Sequence, residues 1–284
     1  MLPIYKEKKE NSPSPIKQRP KQQKNLHERS KVSFDLKGNK INFISLGCPR
    51  NLVDTEVMLG ILLKAGYEVA PKLEEADYIV INTCSFLEAS RQESKETINE
   101  TIAIKKPTAK LIVAGCMAQT HSKELKELYP KIDYFLGSGD VEKILEAVET
   151  KEPGQAVTTA RSYLEMGEVP RKLSTPKHYA YLKIAEGCRK RCAYCIIPTI
   201  KGPLKSKSQE QIMKEFHLLL KQGVHEIILI AQDLGDYGKD QGSKRLAALL
   251  ALIQEMLSVK ANFWLRFLYL YPDEITDELI AVMK

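Results

Sequence analysis

Residues 186–195 read Glu-Gly-Cys-Arg-Lys-Arg-Cys-Ala-Tyr-Cys, which gives Cys188, Cys192 and Cys195 the spacing C-x-x-x-C-x-x-C. Three thiolates on one short loop can hold three irons of a cubic 4Fe–4S cluster and leave the fourth iron without a protein ligand. Zinc is the main rival, but structural zinc takes four ligands and no histidine lies within several residues of the loop. We call these cysteines the loop triplet, and their spacing favours a cluster with one open iron.

The loop triplet lies within a series of alternating strands and helices. We predict strands at 180–185, 226–231 and 263–270, helices at 209–222 and 243–257, and a last helix that begins near Thr276. This alternation is typical of a parallel sheet, and three units are fewer than the roughly six to eight that close a barrel. We therefore expect residues 176–284 to form an incomplete (β/α) barrel of a truncated chain.

Residues 41–150 show the same alternation and predict a separate α/β domain with a parallel sheet. Its predicted strands are 41–46, 78–81, 111–113 and 134–136, and its predicted helices are 51–65, 86–105, 122–128 and 141–148. Residues 151–175 contain Pro153, Gly154 and Pro170, so we expect a linker or a small excursion between the two regions.

Three further cysteines, the strand-end triplet, lie just past predicted strands of the first region. Cys48, Cys84 and Cys116 are separated by 36 and 32 residues, about one βα unit each. Because the carboxyl ends of parallel strands meet at one crevice, we expect the three thiols to converge there. Small buried cysteines are one alternative, and a zinc site completed by His121 is another.

The composition is that of an ordinary soluble protein, with 43% hydrophobic and 28% charged residues in a chain of 284. The longest apolar run, residues 246–253, is too short to span a membrane, and the first residues lack the apolar core of a signal peptide. We therefore expect a cytoplasmic protein whose six cysteines are not used as disulfides.

The net charge of +7 belongs to one end of the chain. Residues 1–40 hold 11 Lys or Arg against 4 Asp or Glu, an excess equal to the net charge of +7. This segment is also rich in Gln, Pro and Ser, so we predict a disordered basic tail. The rest of the chain is balanced in charge and does not predict a general nucleic-acid-binding surface.

The loop triplet resembles the signature of the radical S-adenosylmethionine superfamily, and the strand-end triplet narrows the resemblance to its methylthiotransferases. One branch of that family modifies an aspartate of the small-subunit ribosomal protein S12, and another modifies an adenosine of tRNA. The resemblance covers residues 41–284 and favours the ribosomal-protein branch. The segments that carry it are 47–54 (GCPRNLVD), 82–86 (NTCSF), 92–94 (QES), 115–119 (GCMAQ), 231–238 (AQDLGDYG) and 264–269 (WLRFLY).

The resemblance implies two 4Fe–4S clusters, one on each cysteine triplet, together with S-adenosylmethionine. It implies that a radical made at the loop triplet removes hydrogen from the β-carbon of the substrate aspartate. A sulfur at the open iron of the strand-end cluster is methylated and delivered to that carbon. The implied partners are protein S12, free or in the ribosome, and an electron donor such as flavodoxin or ferredoxin, and we expect a monomer.

Four other side chains are candidates for cofactor binding. Gln232, Asp233 and Tyr237 follow the second predicted strand of the barrel, where they could meet the nucleoside of S-adenosylmethionine or form a plain turn. Arg266 lies in an otherwise apolar strand and needs a partner. That partner could be a carboxylate of the cofactor or substrate, or a structural carboxylate of the chain itself.

The chain departs from the family pattern near the loop triplet. Arg189 stands where relatives often carry Asn, and Lys201 and Lys205 stand where they often carry Arg, which loses the bidentate fork. These cations and their neighbours could meet ribosomal RNA or an anionic substrate, or form a solvated loop. Relatives also complete the barrel and add an RNA-binding TRAM domain, so a non-catalytic iron–sulfur-binding fragment is an alternative.

Overall fold

The structure is a computed structural model, and it describes residues 4–5, 39–158, 164 and 170–284. Its strands are β1 Ile4–Tyr5, β2 Lys40–Ser45, β3 Glu68–Val69, β4 Tyr78–Thr83, β5 Lys110–Gly115, β6 Tyr134–Gly137, β7 Gly154–Ala156, β8 Tyr179–Lys183, β9 Ala185–Glu186, β10 Lys205–Ser206, β11 Glu226–Ile230 and β12 Trp264–Phe267. Its α-helices are α1 Pro49–Lys64, α2 Glu88–Ile104, α3 Cys116–Leu128, α4 Ile144–Glu149, α5 Ile197–Lys201, α6 Gln209–Lys221, α7 Ala247–Ser258 and α8 Asp277–Met283.

The first sheet has six parallel strands in the order β3-β2-β4-β5-β6-β7. Its central strands are buried on both faces, as their continuous apolar sequences require. In β4, Val80 packs with α1 and α4 on one face, whereas Ile79 and Ile81 pack with α2 and α3 on the other. The predicted parallel α/β architecture is confirmed.

The second sheet places β8, β11 and β12 side by side as parallel strands. One face is covered by α6 and α7, which bury Phe216 and Leu252 among the strands. On the other face Ile228 and Ile230 pack against Val53 of α1. Helix α1 therefore belongs to the core of the first sheet and also contacts the inner face of the incomplete barrel.

Two segments predicted to lack regular structure contain short strands. Residues 154–156, which we assigned to a linker, form β7 at the edge of the first sheet, where Gly154 lies against the ring of Tyr134. A three-residue strand is too short to show a period in sequence.

In the predicted disordered tail, residues 4–5 form β1 and pair antiparallel with β12, and Lys40 begins β2. The rest of the tail, residues 1–3 and 6–38, lies outside the described residues, and the domain limits at 150 and 176 stay predictions.

A largely buried ionic group joins α1 to α6 of the second half. Arg171 donates to Glu56 of α1 over 2.6 Å and to Glu215 of α6 over 2.7 Å. Lys207 also contacts Glu215, over 2.5 Å. Burial acts to raise the pKa of Glu215, but the charges of Lys207 and Arg171 outweigh it and lower that pKa to about 2.

Glu215→Gln is expected to destabilise the chain in a pH-dependent way. The pKa of Glu215 is lower in the folded than in the unfolded chain, so its contribution is present above about pH 4.5 and is lost as the pH falls towards 2. We expect the free energy of unfolding to drop by about 2–3 kcal/mol at pH 7 and by much less near pH 3. Urea unfolding at both pH values measures the difference.

Glu210→Gln is the matched control, because Glu210 lies on the same helix and makes only an exposed pair with Lys214. It should change the free energy of unfolding by less than about 0.5 kcal/mol at either pH. An equal loss at pH 7 and pH 3 for Glu215→Gln would contradict the assigned pKa.

Candidate metal centres

The strand-end triplet lines one cavity of about 370 Å³. Cys48 follows β2 and precedes α1, Cys84 follows β4, and Cys116 follows β5 as the first residue of α3. The cavity has the size of a small ligand site, which is about 300–1,000 Å³. The parallel sheet thus brings three cysteines that are far apart in sequence to one place.

Glycines allow the backbone to turn beside this cavity. Gly47 and Gly115 both adopt positive φ, 87° and 90°, a region that side chains rarely enter. A Cβ at Gly47 would lie 2.7 Å from Cys84 Cβ and 3.0 Å from its Sγ. The glycine before Cys48 is therefore required for the approach of Cys84.

Burial controls the ionisation of Cys116, one of the two buried thiols of the cavity. Desolvation raises the pKa of Cys116 to about 12, although the ammonium of Lys201 acts to lower it. The thiols of Cys48 and Cys84 also contribute to the rise, since all three lie close together. A metal must displace this proton to bind, because thiolates are the ligating form.

The loop triplet lies between β9 and α5, and its three cysteines are half-buried. The backbone N–H of Cys188 donates to the carbonyl of Gly202 over 3.2 Å, which ties the start of the loop to the end of α5. Gly187 has a φ of 75°, and a Cβ there would lie 2.0 Å from the carbonyl oxygen of Pro203. All six cysteines of the chain are free thiols.

Neither triplet has the compact spacing of a single-ion site. Tetrahedral zinc at about 2.3 Å from each sulfur implies sulfurs roughly 3.8 Å apart. Among the described residues, the only group of three or more metal-binding side chains whose ligand atoms all lie within 4.8 Å is Asp233, Asp236 and Glu274. A cubic cluster binds each cysteine to a different iron and does not require this compact spacing.

His121, the predicted fourth ligand of an alternative zinc site, does not form a compact ligand group with the strand-end triplet. The Nδ1 atom of His121 lies 2.6 Å from Oγ1 of Thr120, within α3. The histidine breaks the regular helix there, with φ −128° and ψ 23°. Its local hydrogen bond explains the residue without a metal.

Carboxylates and a lysine surround the loop triplet. Lys190 forms ion pairs with Asp233 at 2.5 Å and Glu274 at 3.3 Å, and its ammonium lies 3.8 Å from the centre of the Tyr271 ring. Burial and the charges of Asp236 and Asp233 act to raise the pKa of Cys188, and a backbone N–H of Lys190 opposes them.

Comparison with known proteins identifies both halves of the chain. Residues 40–137 match the family described as uncharacterized protein family UPF0004, and residues 182–284 match the radical SAM superfamily. A curated protein of Protochlamydia amoebophila named ribosomal protein uS12 methylthiotransferase RimO is 76% identical over 90% of this chain and 54% of its own length. The chain belongs to the radical S-adenosylmethionine methylthiotransferase family. The predicted resemblance is confirmed, and it extends to the RimO branch.

Other members of the RimO branch show the same coverage. The Chlamydia caviae protein is 65% identical over 87% of this chain and 53% of its length. The Pelotomaculum thermopropionicum protein is 46% identical over 87% of this chain and 56% of its length. The chain thus spans about half the length of the curated relatives that it matches.

The fold is also found in a solved structure with little sequence similarity. The radical S-adenosylmethionine methyltransferase TsrM from Kitasatospora setae, solved with cobalamin and a [4Fe-4S] cluster bound, has a TM-score of 0.50 and 16% identity. The match covers 77% of this chain and 50% of TsrM. At this identity the similarity supports the fold alone.

Within this RimO-branch chain, Gln232 and Asp233 lie at the face that carries the cysteines. Gln232 lines the cavity of the strand-end triplet although it follows β11 of the other sheet. Both polar atoms of its amide are buried and lack a hydrogen-bond partner among the described residues. An unsatisfied buried amide is costly, so Gln232 is suited to bind a group that enters the cavity.

Tyr237 and Arg266 instead have structural partners. The hydroxyl of Tyr237 donates to the carbonyl of Lys207 over 3.1 Å, and its ring lies in the core of the second sheet. Arg266 pairs with Glu226 of the adjacent strand at 2.7 Å. The Nε of Arg266 is buried without a hydrogen-bond partner among the described residues, so its binding to a cofactor or substrate stays a prediction beside the structural pair.

Sequence reasoning missed two cations of the site. Arg50 donates to the carbonyl of Ala231 over 3.0 Å and stacks 4.6 Å from the centre of the Tyr269 ring. Lys201, which we grouped with loop cations facing RNA or solvent, is buried and lines the strand-end cavity. The position of Arg50, two residues after Cys48, could have indicated that its side chain lies at the cavity. Nothing in the sequence near Lys201 indicates that this lysine is buried.

None of the helices in the described ranges combines the length and the apolar character needed to cross a bilayer.

Proposed function

We propose that the protein methylthiolates the β-carbon of an aspartate in the small-subunit ribosomal protein S12. The observation that carries the proposal is the shared cavity, in which the strand-end triplet faces residues of the radical SAM half. Ile197, Lys201 and Gln232 come from that half and line the cavity opposite the cysteines. The names of the RimO-branch relatives support the same substrate.

The two cysteine triplets would each hold a 4Fe–4S cluster by three thiolates. When bound, one cluster supplies the electron that cleaves S-adenosylmethionine and the other supplies the place where sulfur is methylated before transfer. The chain itself positions the thiolates at the strand ends, and α1 packs Val53 against Ile228 and Ile230 of the radical SAM half.

Arg50 places positive charge at the strand-end cavity, which favours anionic groups there. The ammonium of Lys201 lines the same cavity but is paired with Asp54 and Glu186.

Partners and location follow from this proposal. The chain would act on S12, free or in the ribosome, as a cytoplasmic monomer. A small electron-transfer protein such as flavodoxin or ferredoxin would reduce the cluster at the loop triplet. The tRNA alternative is not favoured, since the curated relatives at 40–76% identity are named for uS12.

The test supplies the anaerobically reconstituted protein with S-adenosylmethionine, a reductant and either purified S12 or tRNA. Mass spectrometry of each substrate detects a methylthio group, and chromatography detects 5′-deoxyadenosine. We expect modification of one aspartate of S12 and none of tRNA. Modified tRNA would replace the proposal with the other branch, and metal uptake without either product would favour a non-catalytic fragment.

A further inference from the structure

Four charged side chains form a buried cluster between the two halves of the chain. This interdomain tetrad consists of Asp54 on α1, Lys183 at the end of β8, Glu186 in β9 and Lys201 at the end of α5. All four residues are between 0% and 8% exposed. Its two carboxylates and two ammonium groups carry equal and opposite charges. The tetrad as a whole is therefore neutral, and its members can stay charged while buried.

The contacts within the tetrad are direct. Lys201 Nζ lies 3.1 Å from Asp54 Oδ2 and 2.8 Å from Glu186 Oε1. Lys183 contacts the other oxygen of Asp54 and lies 3.3 Å from Glu186 Oε1. Each lysine therefore bridges Asp54 of the first half to Glu186 of the second.

The tetrad lies beside both cysteine triplets in the chain. Asp54 is on the helix that begins directly after Cys48, and Glu186 is two residues before Cys188. Lys201 ends the helix that follows Cys195, and its neighbour Gly202 accepts the N–H of Cys188. Lys201 also lines the cavity of the strand-end triplet. The segments that carry the two triplets thus meet at one ionic group.

We propose that the interdomain tetrad is a clamp that fixes the position of the loop triplet relative to the strand-end triplet. Asp54 and Lys201 are its positioning residues, since they join α1 to α5. Loss of Asp54 leaves two buried ammonium groups to share one carboxylate, which loosens the loop end of the clamp. The consequence for sulfur transfer rests on the proposed function, whereas the clamp itself does not.

A purely adhesive role for the tetrad is the competing explanation, and α1 offers a control for it. Glu56 is two residues from Asp54 on the same helix, equally buried, and linked to the second half through Arg171, which also contacts Glu215 of α6. Its partners are Arg171 and the N–H of Ser174, far in sequence from either triplet. Glu56→Gln therefore weakens adhesion between the halves without touching the cysteine segments.

Amide hydrogen exchange of the metal-free protein tests the clamp. In Asp54→Asn we expect peptides covering residues 186–202 to exchange about tenfold to a hundredfold faster, with residues 171–175 unchanged. In Glu56→Gln we expect the reverse pattern. Lys201→Gln provides a second variant if Asp54→Asn does not fold, and it should resemble Asp54→Asn. The same exchange pattern in the Asp54 and Glu56 variants would overturn the proposal.

The cluster-loaded protein supplies the second readout. We expect Asp54→Asn to keep cleaving S-adenosylmethionine while its yield of methylthiolated S12 per 5′-deoxyadenosine falls by about tenfold, because proximity governs transfer. Glu56→Gln should keep the yield of the unaltered protein. A yield retained in Asp54→Asn would overturn the clamp. If the unaltered protein makes no modified S12, the proposed function fails, and the exchange pattern still decides the clamp.

Discussion

Alanine in place of Cys188, Cys192 and Cys195 together is expected to abolish the reductive cleavage of S-adenosylmethionine. These thiols are the only cysteines of the barrel half, and they lie on one loop where three thiolates leave one iron open. Without them no cluster is held beside Lys190, Asp233 and Glu274. Anaerobic turnover with dithionite, followed by chromatography of 5′-deoxyadenosine, measures the loss, which should reach background.

Alanine in place of Cys48, Cys84 and Cys116 is the matched control, since it removes the same number of thiols from the other site. We expect this variant to cleave S-adenosylmethionine and to transfer no methylthio group. Cleavage that survives the loss of the loop triplet, or that depends equally on both triplets, would contradict the division of roles.

Lys183→Met is expected to cause the largest loss of stability among single substitutions at the interface of the two halves. Lys183 is fully buried and contacts both Asp54 and Glu186. Its removal leaves two buried carboxylates with Lys201 as their remaining lysine partner in the interdomain tetrad. Breaking a buried ionic group in this way costs about 3–5 kcal/mol. Urea unfolding at pH 7 measures the change in the free energy of unfolding.

Lys95→Met is the control for this substitution, because it replaces the same residue type in an exposed ion pair. Lys95 and Glu124 lie 2.7 Å apart with side chains 28% and 43% exposed. The expected loss there is below about 1 kcal/mol. Equal losses in the free energy of unfolding for the two variants would show that the buried tetrad stabilises the chain no more than an exposed ion pair does.

The fold was predictable in the segments whose apolar residues form a long run or follow a regular period. The strands β4 and β5 were predicted from their apolar runs and the helix α6 from its amphipathic pattern, and all three lie close to their predicted bounds. Buried strands and amphipathic helices can be predicted in this way because their pattern lies within the segment itself. The edge strands β3 and β7 were missed, because two or three residues carry no period. The helix predicted at 122–128 matches the part of α3 after the break at His121, and the turns before it, from Cys116 onward, were missed because they carry the polar Gln119 and Thr120.

The site was predictable where chemistry demands fixed spacing. The loop triplet follows from three residues on one loop, and the strand-end triplet follows from the shared edge of parallel strands. The burial of Lys201 was not predictable, because it depends on a contact with Asp54, which belongs to the other half of the chain. Tyr237 and Arg266 were candidates for cofactor binding from the sequence, and the structure gives each a partner within the chain, the carbonyl of Lys207 and the carboxylate of Glu226.

Iron and acid-labile sulfide content after anaerobic reconstitution tests the central claim most directly, namely that each triplet holds its own cluster. The unaltered protein should bind about eight irons and about eight sulfides, and each triple alanine variant should bind about four of each. Zinc in a parallel metal analysis should stay at trace level. About four irons in the unaltered protein, with no loss on replacing Cys48, Cys84 and Cys116, would contradict the account.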